Sequence, residues 1–217
     1  MDHPGDFSSI GYCDDSETNV VTITLNEARR KHIVDILDRR GFISQTSCGI
    51  CGKEVVKDLY QMIRPIQKEL QIDARKSLAC LESLSELQPL RQKTRTSHAA
   101  VIYGPDFDIL SVAEDVGRHN ALDKAIGQLF LDSRLDSATL LVLSSRISYE
   151  LVQKSARARI PIILAISRPT SLAVDLASRL NLTLGCLADE TGLFIYCGEK
   201  RLSYDVLPGK VTDRKSF

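Results

Sequence analysis

The sequence predicts an α/β protein in which helices cover a sheet on both faces, preceded by a smaller α+β unit. Three observations carry this expectation. From residue 98 onward, short apolar runs alternate with amphipathic stretches of helical length. Two of the runs, Ala138–Leu143 (ATLLVL) and Ile162–Ile166 (IILAI), are apolar nearly throughout, as strands buried on both faces are. The polar, basic stretch Arg91–Ser97 (RQKTRTS) interrupts the pattern and divides the chain into residues 1–93 and 94–217.

Taken in order, Asn19–Leu25 (NVVTITL) is a β-branched run with partial alternation and predicts a strand. Asn26 follows as an N-cap, Ile33, Val34, Ile36 and Leu37 share one helical face, and Gly41 supplies the stop. Ser44–Gly52 (SQTSCGICG) has no periodicity and two glycines, so the segment 44–53 is expected to be a mobile loop. After Pro65, leucines at 78, 81, 84 and 87 recur every three residues and predict an amphipathic helix whose stripe faces a core. In the second part, His98–Tyr103 and Phe107–Ala113 predict a hairpin turning at Gly104-Pro105-Asp106. Helices are expected at about 118–132, 148–159 and 170–180, and final strands at Thr183–Leu187 and Leu193–Cys197.

Composition narrows the function classes. The 217 residues carry 28 Lys+Arg against 28 Asp+Glu, a formal net charge of zero. That balance argues against a mainly electrostatic nucleic-acid binder. With 43% apolar and 26% charged residues the chain is of ordinary globular composition. No apolar run approaches the ~20 residues needed to span a bilayer, and the opening residues lack the features of a signal peptide. Six cysteines are too few for a disulfide-scaffolded domain, so a reducing cytoplasm is the expected location.

Four segments carry candidate chemistry. Cys48 and Cys51, in Cys48-Gly49-Ile50-Cys51-Gly52, are the only closely spaced cysteines. Such thiols can hold a metal, close a small disulfide, cooperate in sulfur transfer or merely fill space. Zinc needs two more ligands, and neither a second CxxC nor a paired His is present, so no structural metal is expected. A thioredoxin-like pair normally starts a helix after a strand, whereas this one lies in a Gly-rich stretch.

Glu114–Lys124 (EDVGRHNALDK) packs charge, His119 and Asn120 where a strand hands over to a helix. Ligands bind at such junctions in open α/β sheets. On a helix, His119 faces Asp123 and Asn120 faces Lys124. An Asp–His pair could fix an imidazole tautomer or simply cap and solvate the helix start. The stretches Ser144-Ser145-Arg146 and Ser167-Arg168-Pro169-Thr170-Ser171 each place hydroxyls, an arginine and free N–H groups at a helix start. Ser and Thr are also ordinary N-caps, so the pointer toward a phosphorylated ligand comes from several such loops converging on one sheet edge.

Three segments together resemble FdhD-type formate dehydrogenase accessory sulfurtransferases. They are Thr46–Glu54 (TSCGICGKE), Glu114–Gly127 (EDVGRHNALDKAIG) and Arg146–Ala173 (RISYELVQKSARARIPIILAISRPTSLA). The resemblance runs from about Ser9 to Leu202. It departs from the usual pattern at Thr94–Ser97, Ser144–Arg146, Ser167–Pro169 and Leu187–Asp189, and 217 residues is short for that family.

The resemblance implies a three-layer α/β/α, cytidine-deaminase-like core and a homodimer. It implies a sulfur carrier that accepts persulfide sulfur from a cysteine desulfurase on Cys48, with Cys51 as its partner. The sulfur would pass to the molybdenum bis-guanine-dinucleotide cofactor before insertion into the client, formate dehydrogenase. GDP is the expected mimic of the cofactor's guanine end. By position, Leu187, Ala188, Asp189, Glu190, Thr191 and Gly192 fall where the family contacts the cofactor. Arg118, His119, Ser145, Arg146, Ser167 and Thr170 join them as expected binding residues. A cofactor-binding chaperone that does not handle sulfur is the alternative, and a zinc deaminase is excluded because His98-Ala99-Ala100 lacks the required Glu.

Overall fold

In a computed structural model the described residues are 3–12, 21–31, 63–188 and 192–204. The chain divides into two compact units, Met1–Leu59 and Tyr60–Phe217. In the first, strand β1 (Phe7–Tyr12) pairs antiparallel with β2 (Val21–Leu25), the described part of the strand expected at 19–25. Asn26 then starts the helical residues 27–31, its Oδ1 accepting the Arg29 N–H at 2.8 Å, as an N-cap does. The expected helical face at Ile33–Leu37, its stop at Gly41 and the loop 44–53 lie outside the described residues.

The second unit is built on a six-stranded sheet of order β5-β4-β6-β7-β8-β9. Its strands are β4 (His98–Tyr103), β5 (Ile109–Asp115), β6 (Leu140–Arg146), β7 (Ile162–Ser167), β8 (Thr183–Ala188) and β9 (Gly192–Cys197). Strands β6, β7 and β8 run parallel, whereas β4 is antiparallel to both β5 and β6, and β9 is antiparallel to β8. The short strands β3 (Ile72–Asp73) and β10 (Leu202–Ser203) pair with each other beside it.

Side chains alternate between faces along a strand, so the burial pattern shows what covers each face. Ala99, Val101 and Tyr103 of β4 join Leu140, Val142, Ile162 and Leu164 in one cluster with Leu81 and Leu84. Helix α1 (Ala74–Glu82) supplies Leu81 to that face. The alternate residues Ala100, Ile102, Leu141, Leu143, Ile163 and Ala165 are equally buried. Three further helices bury apolar stripes: α3 (Arg118–Leu131), α4 (Tyr149–Arg157) and α5 (Ser171–Arg179). Burial on both sides explains why β6 and β7 read as continuous apolar runs. Gly185 in β8 is required by close packing, because a Cβ there would meet Ile195 Cδ1 at 2.8 Å and the Phe194 carbonyl at 3.1 Å.

Two expectations change. The leucine stripe is not one helix: α1 ends at Glu82 and a 3₁₀ turn, Ser83–Leu87, continues it. A strict period of three matches the 3₁₀ helix, at three residues per turn, better than the α-helix, and it keeps Leu81 and Leu84 on the same side. The division of the chain falls before this stripe, since Leu81 and Leu84 share the core of the sheet. Arg91–Ser97 is accordingly no linker. Helix α2 (Pro89–Thr94) occupies most of it, and Glu114 binds the start of α2 through the N–H groups of Leu90 and Arg91.

Leu81→Ala removes a fully buried side chain from this core. The expected cost is about 2–5 kcal/mol of unfolding free energy, read as a lower urea midpoint at an unchanged slope.

Candidate functional site

The strand directions bring the expected loops to one edge. Strands β5, β6, β7 and β8 all finish there, and the antiparallel strands β4 and β9 begin there. The register makes the alignment explicit: Asp115 pairs with His98, Arg146 with Ser167, and Ala188 with Gly192. Ser144 ties β6 to β4, its Oγ accepting the Ala99 N–H at 2.8 Å. Five inter-strand steps separate β5 from β9, so this row is about 24 Å long. It is a strip rather than a single pit.

At one end of the strip, helix α3 starts at Gly117 without a side-chain cap. Asp115 accepts the Gly117 N–H at 2.8 Å, the Asn120 amide at 3.3 Å and the Lys124 ammonium. The bond from Lys124, reinforced by that from Gly117, holds its carboxyl below the usual carboxylate range. Asn120 and Lys124 thus work together on Asp115, consistent with their helical spacing. For Glu114, burial pushes the carboxyl up, but bonds from Ser97 Oγ and the Leu90 and Arg91 N–H groups outweigh it and leave the carboxyl lowered.

The expected His119–Asp123 pairing is replaced by another. Asp123 accepts two hydrogen bonds from Lys154 Nζ, both 2.6 Å, which tie α3 to α4. His119 Nε2 instead lies 3.3 Å from Ser148 Oγ and 3.8 Å from Glu150 Oε2. Both partners sit beside the same ring nitrogen, so the arrangement is not a relay in which acid and hydroxyl use opposite ends of the imidazole. Desolvation, then the nearby Arg118 charge, lowers the His119 pKa, with Glu150 acting in the opposite direction.

The other expected residues divide in role. Arg146 is exposed at the end of β6. Ser145 is buried, its hydroxyl donating to the Arg146 carbonyl at 3.2 Å, and so faces no ligand space. Ser148 starts α4 without a side-chain capping bond, its hydroxyl being at His119. Thr170 caps α5, its Oγ1 accepting the Ala173 N–H at 3.3 Å, and its own N–H donates to the Ile147 carbonyl. Ser167, at the end of β7, is half-buried. Leu187 packs against the core cluster, and Ala188 and Gly192 are half-buried at the strand ends. Asp189, Glu190 and Thr191, like Cys48 and Cys51, lie outside the described residues.

One residue with no role assigned from sequence stands out. His98, at the start of β4, has a buried Nδ1 with no hydrogen-bond partner. Desolvation first, then the charges of Arg91 and Arg118, lower its pKa. A neutral, unsatisfied ring nitrogen under the charge of two arginines is an exception among buried polar groups. Its place directly opposite Asp115 depends on a hairpin register that sequence alone does not fix. Among the described residues no group of three or more His, Cys, Asp or Glu could hold a metal ion.

This strip occurs in a chain whose residues 1–203 match the model of the FdhD/NarQ family. The chain belongs to the FdhD/NarQ family. Relatives agree: the sulfur carrier protein FdhD of Xanthomonas euvesicatoria is 38% identical over 173 residues, covering 79% of this chain and 61% of the relative. That of Bordetella bronchiseptica is 36% identical over 191 residues, covering 88% and 67%. The chain thus spans about 61% of the length of the Xanthomonas FdhD relatives. A crystal structure assigned as a formate dehydrogenase accessory protein from Desulfotalea psychrophila shares the fold at a TM-score of 0.69 and 19% identity, covering 94% of this chain and 74% of that one.

Because His98 and His119 are both shifted down, they stay neutral in the fold where an unfolded chain would already charge them. Their contribution to stability is therefore present above the unfolded value of about 6.5 and is lost as pH falls through the folded values. An NMR titration is expected to place both imidazoles below that value, and His119→Gln to flatten part of the loss of stability on acidification.

Proposed function

We propose that this protein is a sulfur carrier of formate dehydrogenase maturation. It would accept persulfide sulfur from a cysteine desulfurase and transfer it to the molybdenum bis-guanine-dinucleotide cofactor before insertion into the enzyme. The observation that most supports this reading is the strip: an elongated row of helix starts, arginines and an unsatisfied histidine, in a chain whose relatives are named sulfur carriers. A ligand with several phosphates spread along its length suits a row of about 24 Å better than a compact metabolite does. The cytidine-deaminase-like arrangement of layers, a homodimer and a cytoplasmic location complete the proposal.

The chemistry needs two thiols. The Cys48 thiolate attacks the outer sulfur of the donor's persulfide, forming a new S–S bond while the donor's sulfur leaves as thiolate. Cys51 thiolate then attacks the inner sulfur of the Cys48 persulfide. A Cys48–Cys51 disulfide forms as hydrosulfide leaves toward the acceptor, and a thiol reductant resets the pair. A cation close to the pair would favour the thiolate form, and Lys53 is the nearest in sequence. Gly49 and Gly52 permit the backbone change that ring closure needs.

At the strip, N–H groups at the starts of α3 and α4 receive phosphate oxygens, and Arg118 and Arg146 supply charge. His98 donates or accepts a hydrogen bond without adding charge. Thr170 acts at one remove, by fixing the loop between β7 and α5 to the loop after β6.

Incubation with a cysteine desulfurase and cysteine is expected to add one sulfur to Cys48, seen by mass spectrometry and abolished in Cys48→Ala. If a double Cys48→Ala, Cys51→Ala protein still supports formate dehydrogenase maturation, the carrier reading fails and a cofactor chaperone replaces it. GDP is expected to raise the melting temperature of the wild type. In His98→Ala that shift shrinks, because a single lost hydrogen bond weakens binding about three- to tenfold.

A further inference from the structure

A concavity lies at the opposite edge of the sheet from the strip. It encloses about 480 Å³ and is lined by Arg64, Lys68, Arg159 and Asp136, with Pro65 and Ile66 as an apolar wall. Asp136 precedes β6 and Arg159 precedes β7, so the cavity sits where parallel strands begin. The strip lies where they end. A strand of six or seven residues separates the two by about 20 Å.

Three cations and one carboxylate line the cavity in a chain of zero net charge. Lys68 is anchored rather than free: its Nζ donates to the carbonyls of Asp136 and Ala138, both at 3.0 Å. An ammonium has three donors, so one stays available. Arg64 and Arg159 have no carboxylate partner within ion-pair distance among the described residues. The floor beneath them is fixed to the core. The Ile66 N–H donates to the Leu180 carbonyl at 2.9 Å, Asn181 Nδ2 donates to the Ile66 carbonyl at 2.7 Å, and Arg201 Nε donates to the Lys68 carbonyl at 3.2 Å. The cavity's wall therefore does not depend on the arginine side chains for its shape.

We propose that this cavity is a binding site for a small phosphorylated anion, separate from the strip. Two guanidinium groups with open donors and one anchored ammonium match the oxygens of a phosphate group. The volume is that of a metabolite site. The proposal does not depend on the sulfur-carrier reading, and its test separates the two.

Pyrophosphate is the probe, titrated calorimetrically into the full-length protein. Saturable binding is expected, weakened at least about tenfold in the double variant Arg64→Gln, Arg159→Gln. Both arginines are exposed, so the variant is expected to keep the wild-type circular dichroism and melting temperature. GDP, whose expected site is the strip, is to protect this variant as it protects the wild type. Arg118→Gln combined with Arg146→Gln is expected to reverse the pattern, sparing pyrophosphate. Absence of saturable binding at millimolar pyrophosphate overturns the proposal, as does unchanged affinity in the double variant or loss of binding in the strip variant instead.

Discussion

Parallel hydrogen bonding among β6, β7 and β8 is the constraint on which the second unit depends. Parallel neighbours cannot be joined by a tight turn, so each strand must leave the sheet, cross a face as a helix and return to the same starting edge. Helices α4 and α5 are those crossings. Burying Leu141, Ile163 and Leu164 on both faces of the sheet stabilises it, and the same geometry delivers the ends of β6, β7 and β8 to one side. The hairpin of β4 and β5 extends this edge, because β5 again runs toward it. The strip is thus a consequence of how the core is buried.

What makes that edge receptive is where its acids are used. Glu114 and Asp115 stand immediately before the α3 start and would oppose an incoming anion if they faced it freely. Glu114 instead accepts from two N–H groups of α2 and from Ser97, and Asp115 is bonded to Lys124, Asn120 and Gly117. Each acid neutralises a donor that belongs to the scaffold. Neither set of bonds uses Arg118 or Arg146, and the same Arg118 helps keep His98 and His119 neutral. Two carboxylates in the motif are thereby satisfied within the scaffold, and would not oppose the proposed anion.

The regular part of the fold was legible because its signals are local. The strands and helices from residue 98 onward follow apolar runs and amphipathic periods, and only their ends shift by two or three residues, as at Arg146, where β6 outlasts its apolar run to pair with Ser167. The leucine stripe was legible as a buried face but not as a helix type, since a period of three does not separate α from 3₁₀ over so few turns. Pairings across elements were less accessible. Asp123 and His119 share a helical face, yet the choice between them and Lys154 or Ser148 is made by how α3 meets α4. His98 carried no sequence signal beyond a lone histidine at a strand start. Ser145 carried a misleading one, because its alternation places the hydroxyl inside.

Zero net charge then has a structural meaning. Anion sites need only a local excess, and the sheet separates the two proposed ones by its own strand length. At the carboxyl edge the excess comes from helix starts, the exposed Arg146 and the half-buried Arg118, with nearby acids already engaged. At the amino edge it comes from Arg64, Lys68 and Arg159 around a backbone held by Leu180, Asn181 and Arg201. Over about 20 Å, roughly twice the Debye length at 0.1 M salt, exposed charges at one edge are largely screened from the other. Ligand binding at the two edges can therefore be electrostatically independent, and coupling between them would have to pass through the buried strands that join them. Those strands are close-packed from both faces, so any coupling would have to be a concerted repacking of the core rather than a gradual deformation.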